Sequence, residues 1–353
     1  MKLTEKVIGL LKTLIETPSL SREEGETASL IEGFLNIEGV NCQRVGNNIW
    51  AMNKFFDPDL PSILLNSHHD TVKPNAGYTK DPFSAITENG KLYGLGSNDA
   101  GGCLVSLVAT FLHFYAEENL CYNLVLAASA EEEISGKGGI ESLLPHLPDI
   151  DFAIVGEPTQ MHLAVAEKGL MVLDCVAQGK AGHAARNEGE NAIYNAIQHI
   201  EWFRSFEFPR VSESLGPVKM SVTVIEAGKQ HNVVPDKCSF VVDVRTTDAY
   251  TNEETLAVIR EHVDCDVTPR STRLNPSGIG EDHPIVAAGK SLGRKTYGSP
   301  TLSDQALMPF ASVKLGPGDS ARSHTADEYV KLQEIEDGVN LYIKMLETMV
   351  HSR

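Results

Sequence analysis

Three things are scarce in this chain of 353 residues: paired cysteines, long apolar runs and positive charge. Its six cysteines (Cys42, Cys103, Cys121, Cys175, Cys238 and Cys265) are scattered, and no two form a CxxC pair. That argues against both a Cys-type zinc site and a disulfide frame, so the thiols read as reduced and packed in a cytoplasmic protein. No run approaches the ~20 apolar residues that a membrane span needs. The opening Met-Lys-Leu-Thr-Glu-Lys carries an acidic residue early and no apolar core, so no signal peptide is expected. Lys and Arg number 30 against 48 Asp and Glu, a net charge of −18. Such a surface repels nucleic acid and anionic membranes, so neither is expected as a partner; the charge serves solubility alone or, as the lesser reading, attracts a cationic small molecule. Internal repeats and low-complexity tracts are also missing.

What is present is an ordinary globular composition, 42% hydrophobic, on a length that predicts two domains. Val7, Leu10, Leu11, Leu14 and Ile15 recur at helical spacing from Leu3 to Ile15, and Thr17-Pro18-Ser19 stops the run. Short apolar runs then end in polar clusters: Ile63 to Leu65 before Asn66-Ser67-His68, Leu124 to Ala128 before Ser129-Ala130-Glu131, and Phe152 to Val155 before Gly156-Glu157-Pro158. Leu104 to Tyr115 reads as a helix between the first two. Buried strands alternating with helices predict an α/β fold with helices on both faces of the sheet, ligand groups gathering beyond the strands' carboxyl ends. From Gly169 the pattern becomes strand (Met171 to Ala177), helix (Asn191 to Phe206), strands (Val218 to Ile225, Cys238 to Val244), helix (Glu253 to Val263) and a strand near Val267. That βαββαβ order predicts a ferredoxin-like α+β domain at residues 169–276, inserted into a larger domain made of 1–168 and 277–353. Asn275-Pro276-Ser277-Gly278 reads as a turn-rich linker.

The candidate chemistry sits in the polar clusters. In extended chain His68 and Asp70 share a face, so Asp70 is placed to fix the tautomer of a metal-bound His68 imidazole, although a plain polar loop would look the same. In Gly94-Leu95-Gly96-Ser97-Asn98-Asp99-Ala100-Gly101-Gly102 the only ionised group is Asp99; a simple helix N-cap loop is the alternative, and no P-loop lysine follows. Glu131-Glu132-Glu133 crowds three carboxylates that repel one another unless a cation compensates, or else forms a solvated acidic turn. Glu157 and His324 complete the set. Nitrogen and oxygen donors without sulfur suit zinc, cobalt or manganese in an open catalytic centre. Two ions ~3.5–4 Å apart need one bridging carboxylate and further ligands on each. His68, Asp99, Glu133, Glu157 and His324 would supply them, leaving Glu132 as a base.

In order and spacing these segments resemble the co-catalytic zinc aminoacylase and exopeptidase family that includes acetylornithine deacetylase, succinyl-diaminopimelate desuccinylase and carboxypeptidase G. The likeness runs nearly end to end, through HHDTV (His68 to Val72), GLGSNDAGG (Gly94 to Gly102), EEE (Glu131 to Glu133) and GEPT (Gly156 to Thr159). It continues through GKAGH (Gly179 to His183), NVVPD (Asn232 to Asp236), DVR (Asp243 to Arg245), GPG (Gly316 to Gly318) and HTADE (His324 to Glu328). The resemblance implies a zinc-exopeptidase-like catalytic domain holding two Zn²⁺, with Co²⁺ able to substitute. Asp99 would bridge them, His68 and Glu157 would hold one, and Glu133 and His324 the other. Asp70 would orient His68, and Glu132 would act as the base. The insertion would be a lid and dimerisation domain, giving a homodimer in which His183 reaches the partner's active site. Asn232 and Arg245 would contact the substrate, a small N-acyl amino acid.

The sequence departs from many members by Leu95 in place of arginine, Gly101 in place of lysine and Glu131 in place of aspartate. The expected activity is deacylation of N2-acetyl- or N2-succinyl-ornithine in arginine biosynthesis. A desuccinylase acting on diaminopimelate or a dipeptidase is the rival within the family, and a non-catalytic binding protein the rival outside it.

Overall fold

The computed structural model describes residues 2–186 and 188–351, which form two compact units. The first comprises residues 1–165, 278–297 and 303–353; the second comprises 166–277 and 298–302. The five residues Gly298–Leu302 therefore group with the inserted segment, where the sequence placed all of 277–353 in the larger domain. Ser277–Gly278, read as linker, is a short strand at the end of the first unit's sheet.

That sheet is built on β1 (Cys42–Val45), β2 (Asn48–Met52), β3 (Ser62–His68), β4 (Asn123–Ser129), β5 (Phe152–Val155), β6 (Leu163–Glu167) and β7 (Ala311–Lys314), in the order β1-β2-β4-β3-β5-β7-β6. The centre is parallel: β3 runs beside β4 and β5, and β7 beside β5. Side chains alternate between two cores, as the pleat requires. Ile63, Leu65, Leu124, Leu126, Phe152 and Ile154 face the larger one. Leu64, Val125, Ala127, Ala153 and Val155 face the smaller, closed by Ile140 and Leu143. With both faces covered, these strands read as continuous apolar runs.

Against the larger core lie α1 (Leu3–Ile15), α2 (Gly25–Ile37), α3 (Gly102–Phe114), α4 (Pro284–Ser291) and α5 (Leu332–Val350). The first matches the sequence expectation residue for residue, burying Val7, Leu10, Leu11, Leu14 and Ile15. In α3 eleven of 13 residues are buried, which places it centrally in the layer. Tyr342 of α5 is wholly buried and donates its hydroxyl to the Leu315 carbonyl just beyond β7.

The second unit is a four-stranded antiparallel sheet in the order Lys219–Ala227, Lys237–Thr246, Gly169–Gln178, Asp266–Pro269. Helices Ala192–Ser205 and Asn252–His262 complete a βαββαβ unit with the 4-1-3-2 strand order, read from the far edge, of a ferredoxin-like sandwich. Its helices start where the sequence provides caps: Asn191 accepts from the Ile193 N–H, and Thr251 with Glu254 forms a capping box. Strand Lys219–Ala227 is an edge, largely exposed, with Val224 and Ile225 in the open. Tyr194 and Ile197 of the helix Ala192–Ser205 are exposed as well. Among the described residues no helix is long and apolar enough to cross a membrane.

Candidate metal centre

Parallel strands bring their carboxyl ends to one edge, and the expected residues of the first unit gather there. His68 is the last residue of β3 and is 1% exposed. Its Nε2 lies 3.4 Å from Asp99 Oδ1, 3.6 Å from Glu157 Oε1 and 3.8 Å from Glu132 Oε2. His324 Nε2 lies 3.0 Å from Glu133 Oε2 and 3.6 Å from Asp99 Oδ2. Two sets of donor atoms are close enough to share a cation, His68 with Asp99 and Glu133, and His68 with Glu132 and Glu157.

The neighbours of His68 divide as the extended chain dictates. Its Nδ1 faces Asp70, 3.0 Å from the backbone oxygen and 3.4 Å from Oδ1. His69 turns the other way, its ring nitrogens 2.9 Å from Thr27 Oγ1 and 3.0 Å from the Asn47 carbonyl. Asp70, fully buried, also accepts from Ser21 Oγ (2.7 Å) and from the backbone N–H groups of Glu132 (3.0 Å) and Glu133 (3.2 Å). One carboxylate thus fixes both the His68 ring and the turn that carries the two glutamates. Glu131 faces away and accepts from the Gly138 N–H.

Asp99 does not cap α3. It lies in an irregular turn, Ser97–Gly101, with extended backbone (φ −118°, ψ 97°), and its peptide bond to Ala100 is cis. Gly96 is left-handed (φ 75°), and a Cβ there would sit 2.6 Å from Thr71 Cγ2. A Cβ on Gly101 would sit 2.5 Å from the Gly96 carbonyl oxygen, which accounts locally for the absence of a side chain there. The turn is held by Glu328, whose buried carboxylate accepts from the N–H groups of Gly96 (3.3 Å), Asn98 (2.8 Å) and Asp99 (3.0 Å).

The electrostatics are those of crowded carboxylates. Burial, helped by Glu157, Asp304 and Glu133, pushes the Glu132 carboxyl well above its ordinary range against the opposing pull of His68. Burial and Asp99 push Glu157 up to about 8, and the same two causes push Glu328 up to about 8. Burial alone would lower His68, but Glu132, Asp70, Asp99 and Glu157 raise it well above the usual imidazole value. The hydrogen bond to Glu133 raises His324 to about 9. Yet His68 Nε2 is buried without a hydrogen-bond partner. A buried imidazole nitrogen left unpaired among carboxylates, in donor sets of histidine and carboxylates alone, fits a site that takes hard or borderline divalent cations.

Three neighbours were not singled out in the sequence. Asp304, buried and held at about 6 chiefly by desolvation, accepts from Ser129 Oγ at 2.6 Å. Lys314 ends β7, is buried, and lowers Glu157 electrostatically. Glu328 was quoted within HTADE without a role. The other expected residues belong to the second unit. His183, exposed, pairs across a two-stranded ribbon with Val233, and the backbone N–H of Ala184 donates to the Asn232 carbonyl (3.0 Å). Arg245 makes a two-pronged ion pair with Asp243, at 2.9 and 3.1 Å.

The model of peptidase family M20/M25/M40 matches residues 64–348. The chain belongs to this family and is a metal-dependent hydrolase. Among curated relatives it is 28% identical over 373 residues to acetylornithine deacetylase of Proteus mirabilis, covering 96% of each chain. It is also 28% identical over 271 residues to succinyl-diaminopimelate desuccinylase of Dinoroseobacter shibae, covering 72% of this chain and 71% of that one. Its fold is shared with aminopeptidase PepT of Bacillus cereus, with a TM-score of 0.79 at 17% identity over 98% of both chains. A dinuclear metal-binding M20 peptidase of Bacillus subtilis aligns with a TM-score of 0.72 at 16% identity over 99% of both.

Proposed function

We propose that this hydrolase cleaves the amide bond of an N2-acyl amino acid, with ornithine as the first candidate for the amino acid, through two divalent cations. The observation that carries the reading is the unpaired, buried His68 Nε2 within 3.4–3.8 Å of three carboxylates, beside a second cluster of Glu133, Asp99 and His324. Asp99 faces both histidines, and in this reading Asp99, His68, Glu157, Glu133 and His324 would together hold the two ions. Zinc suits the donor set, and cobalt can replace it. The ions would supply Lewis acidity that polarises the acyl carbonyl and acidifies the attacking water. Glu132 takes a proton from that water and delivers it to the leaving nitrogen as the C–N bond breaks, so that the acyl carbon gains oxygen and the amine is released. Asp70 holds the His68 ring and the Glu132–Glu133 turn in place.

The relatives that carry the deacylase and desuccinylase names support an acyl amino acid over a peptide, and the net charge of −18 favours a cationic side chain such as ornithine's. In this reading the second unit is a lid that pairs with its copy in a homodimer. Its exposed edge strand with Val224 and Ile225, and the exposed Tyr194 and Ile197, are the surface an isologous partner would cover. His183 then serves the partner's site, and Asn232 and Arg245 bind the substrate. Free cysteines throughout suit the cytoplasm.

The test is a panel of N-acyl amino acids and dipeptides, assayed with added zinc or cobalt. N2-acyl-ornithines should give the highest kcat/KM; higher values for dipeptides would replace the deacylase reading with a dipeptidase.

A further inference from the structure

Three of the six free thiols, Cys175, Cys238 and Cys265, belong to the core of the second unit. Cys175 lies on the strand Gly169–Gln178 and is 1% exposed, in one core with Phe203 and Ile259 of the two helices. Beside it runs the short edge strand Asp266–Pro269, paired antiparallel so that Val267 stands opposite Cys175 and Asp266 opposite Val176. Cys265 enters this strand one residue ahead of Asp266, partly exposed and packed against the same core. Two residues from Val267, it shares the face of Cys175 and stands diagonally across from it. There the two thiols hydrogen-bond to each other, Cys175 as the donor. Other cysteines turn to oxygen atoms instead. The Cys103 thiol donates to the Pro317 carbonyl at 3.2 Å, and the Cys42 thiol lies 3.9 Å from oxygen atoms of Glu32 and Asn36. Burial alone raises Cys238.

The contact divides the pair into two roles. Donation from Cys175 holds the Cys265 thiol below its ordinary value, against burial and the flanking Asp266 and Asp264 carboxylates. The same hydrogen bond, with burial, pushes Cys175 up. Cys265 is therefore both the more accessible sulfur and the readier thiolate, the two conditions for attack on an oxidant. With hydrogen peroxide, the Cys265 thiolate attacks one oxygen and the O–O bond breaks. The hydroxide that leaves takes up the proton Cys265 had released, and Cys265 becomes a sulfenic acid. Cys175 sulfur then displaces the sulfenic hydroxyl, which departs as water with the Cys175 proton, and an S–S bond forms. Two thiols have lost two electrons and two protons, and one peroxide has become two waters. Sulfurs already in contact have little distance to close. The bond would span residues 175 to 265, a loop holding both helices and the two other strands of the unit.

We propose that Cys175 and Cys265 form a reversible disulfide when peroxide reaches the protein, a staple that fastens the edge strand Asp266–Pro269 to the strand beside it. The bond lies in the second unit and draws on none of the candidate metal ligands. In the experiment the folded full-length protein is treated with hydrogen peroxide, quenched, unfolded with an alkylating reagent present and mapped without reduction. Two of the six free thiols should be lost, digestion should yield a peptide joining Cys175 to Cys265, and dithiothreitol should return both thiols. Closing so long a loop should raise the melting temperature by ~5 °C or more. Cys265→Ser should show neither the joined peptide nor the rise; mapping of the wild type stands by itself if that variant folds poorly. Cys265 oxidised to a sulfinic acid beside a reduced Cys175, or a bond from Cys175 to Cys238, overturns the pairing. A Cys175–Cys265 bond that leaves the melting temperature unchanged overturns the staple.

Discussion

Replacing Glu132 and Glu133 in turn by glutamine separates two adjacent carboxylates that composition cannot tell apart. Glu132→Gln preserves volume and leaves the backbone N–H bond to Asp70 (3.0 Å) in place, so the turn should keep its shape. Both ions should remain bound. Turnover should fall by ~10²–10⁴, the range of general acid–base catalysis, or roughly 2.7–5.4 kcal/mol of barrier. Glu133→Gln removes the carboxylate oxygen 3.0 Å from His324, so metal occupancy should fall and excess metal should partly restore the rate. The metal-free protein adds a thermal signature. An unfolded glutamate titrates near 4.3. Burial and the neighbouring Glu157, Asp304 and Glu133 raise folded Glu132 well above its ordinary value. Wild-type stability is therefore penalised increasingly as pH rises from the unfolded value toward the folded one, and a neutral amide escapes the penalty. Metal-free Glu132→Gln should melt above metal-free wild type at pH 7, with the difference vanishing at pH below about 4. Metal analysis, steady-state rates and melting curves across pH check all three. Loss of metal from Glu132→Gln, with both ions and no activity in Glu133→Gln, would exchange the two roles; near-normal turnover of Glu132→Gln refutes the mechanism.

Mixing His183→Ala with Glu132→Gln under conditions that exchange subunits should restore activity, because one site of each mixed dimer is then complete; the His183 loss itself should be ~10²–10³ in kcat. No recovery despite demonstrated exchange would confine His183 to its own chain. Glu334→Gln should cost about 1–3 kcal/mol at pH 7, since Glu334 pairs with Arg322 at 2.7 and 2.9 Å and accepts from the Lys331 N–H. Burial would raise this carboxyl, but Arg322 and Lys331 together hold it below its ordinary value. Its contribution is therefore full above the unfolded pKa and fades as pH falls through the folded one. Denaturant melts at pH 7 and pH 3 test this, and an equal loss at both would mean packing rather than charge.

What could be read in advance follows from local chemistry. Ile63 to Leu65, Leu124 to Ala128 and Phe152 to Val155 announced buried strands because both faces of the sheet are covered, which leaves no polar alternation. His68 and Asp70 were legible from the two-residue period of extended chain. Less visible was α2, whose GETASLIEGFLNI buries only Thr27, Ala28, Ile31 and Leu35, a thin stripe among small and polar residues. Asp304 looks like part of a polar loop in Leu302-Ser303-Asp304-Gln305, yet it is buried and accepts a hydrogen bond from Ser129, 175 residues away in sequence. Lys314 ends a four-residue strand whose sequence gives no sign that a charge there is enclosed. Such residues are defined by distant partners, so spacing along the chain could not mark them.

The grip of Glu328 on the Asp99 turn has a consequence for biogenesis. The two ends of that contact lie 229 residues apart, and His324 meets Glu133 across 191. A nascent chain that has emerged only as far as the end of the second unit already carries His68, Asp99, Glu132, Glu133 and Glu157. It lacks both His324 and the carboxylate that shapes the Asp99 turn. If His324 is a cation ligand, as proposed, full cation uptake waits for the last segment to dock, and a ribosome-stalled chain ending before residue 324 should bind cations with reduced stoichiometry. Loading with metal would act as a proofreading step, marking only those molecules whose final strand and helix have reached their places.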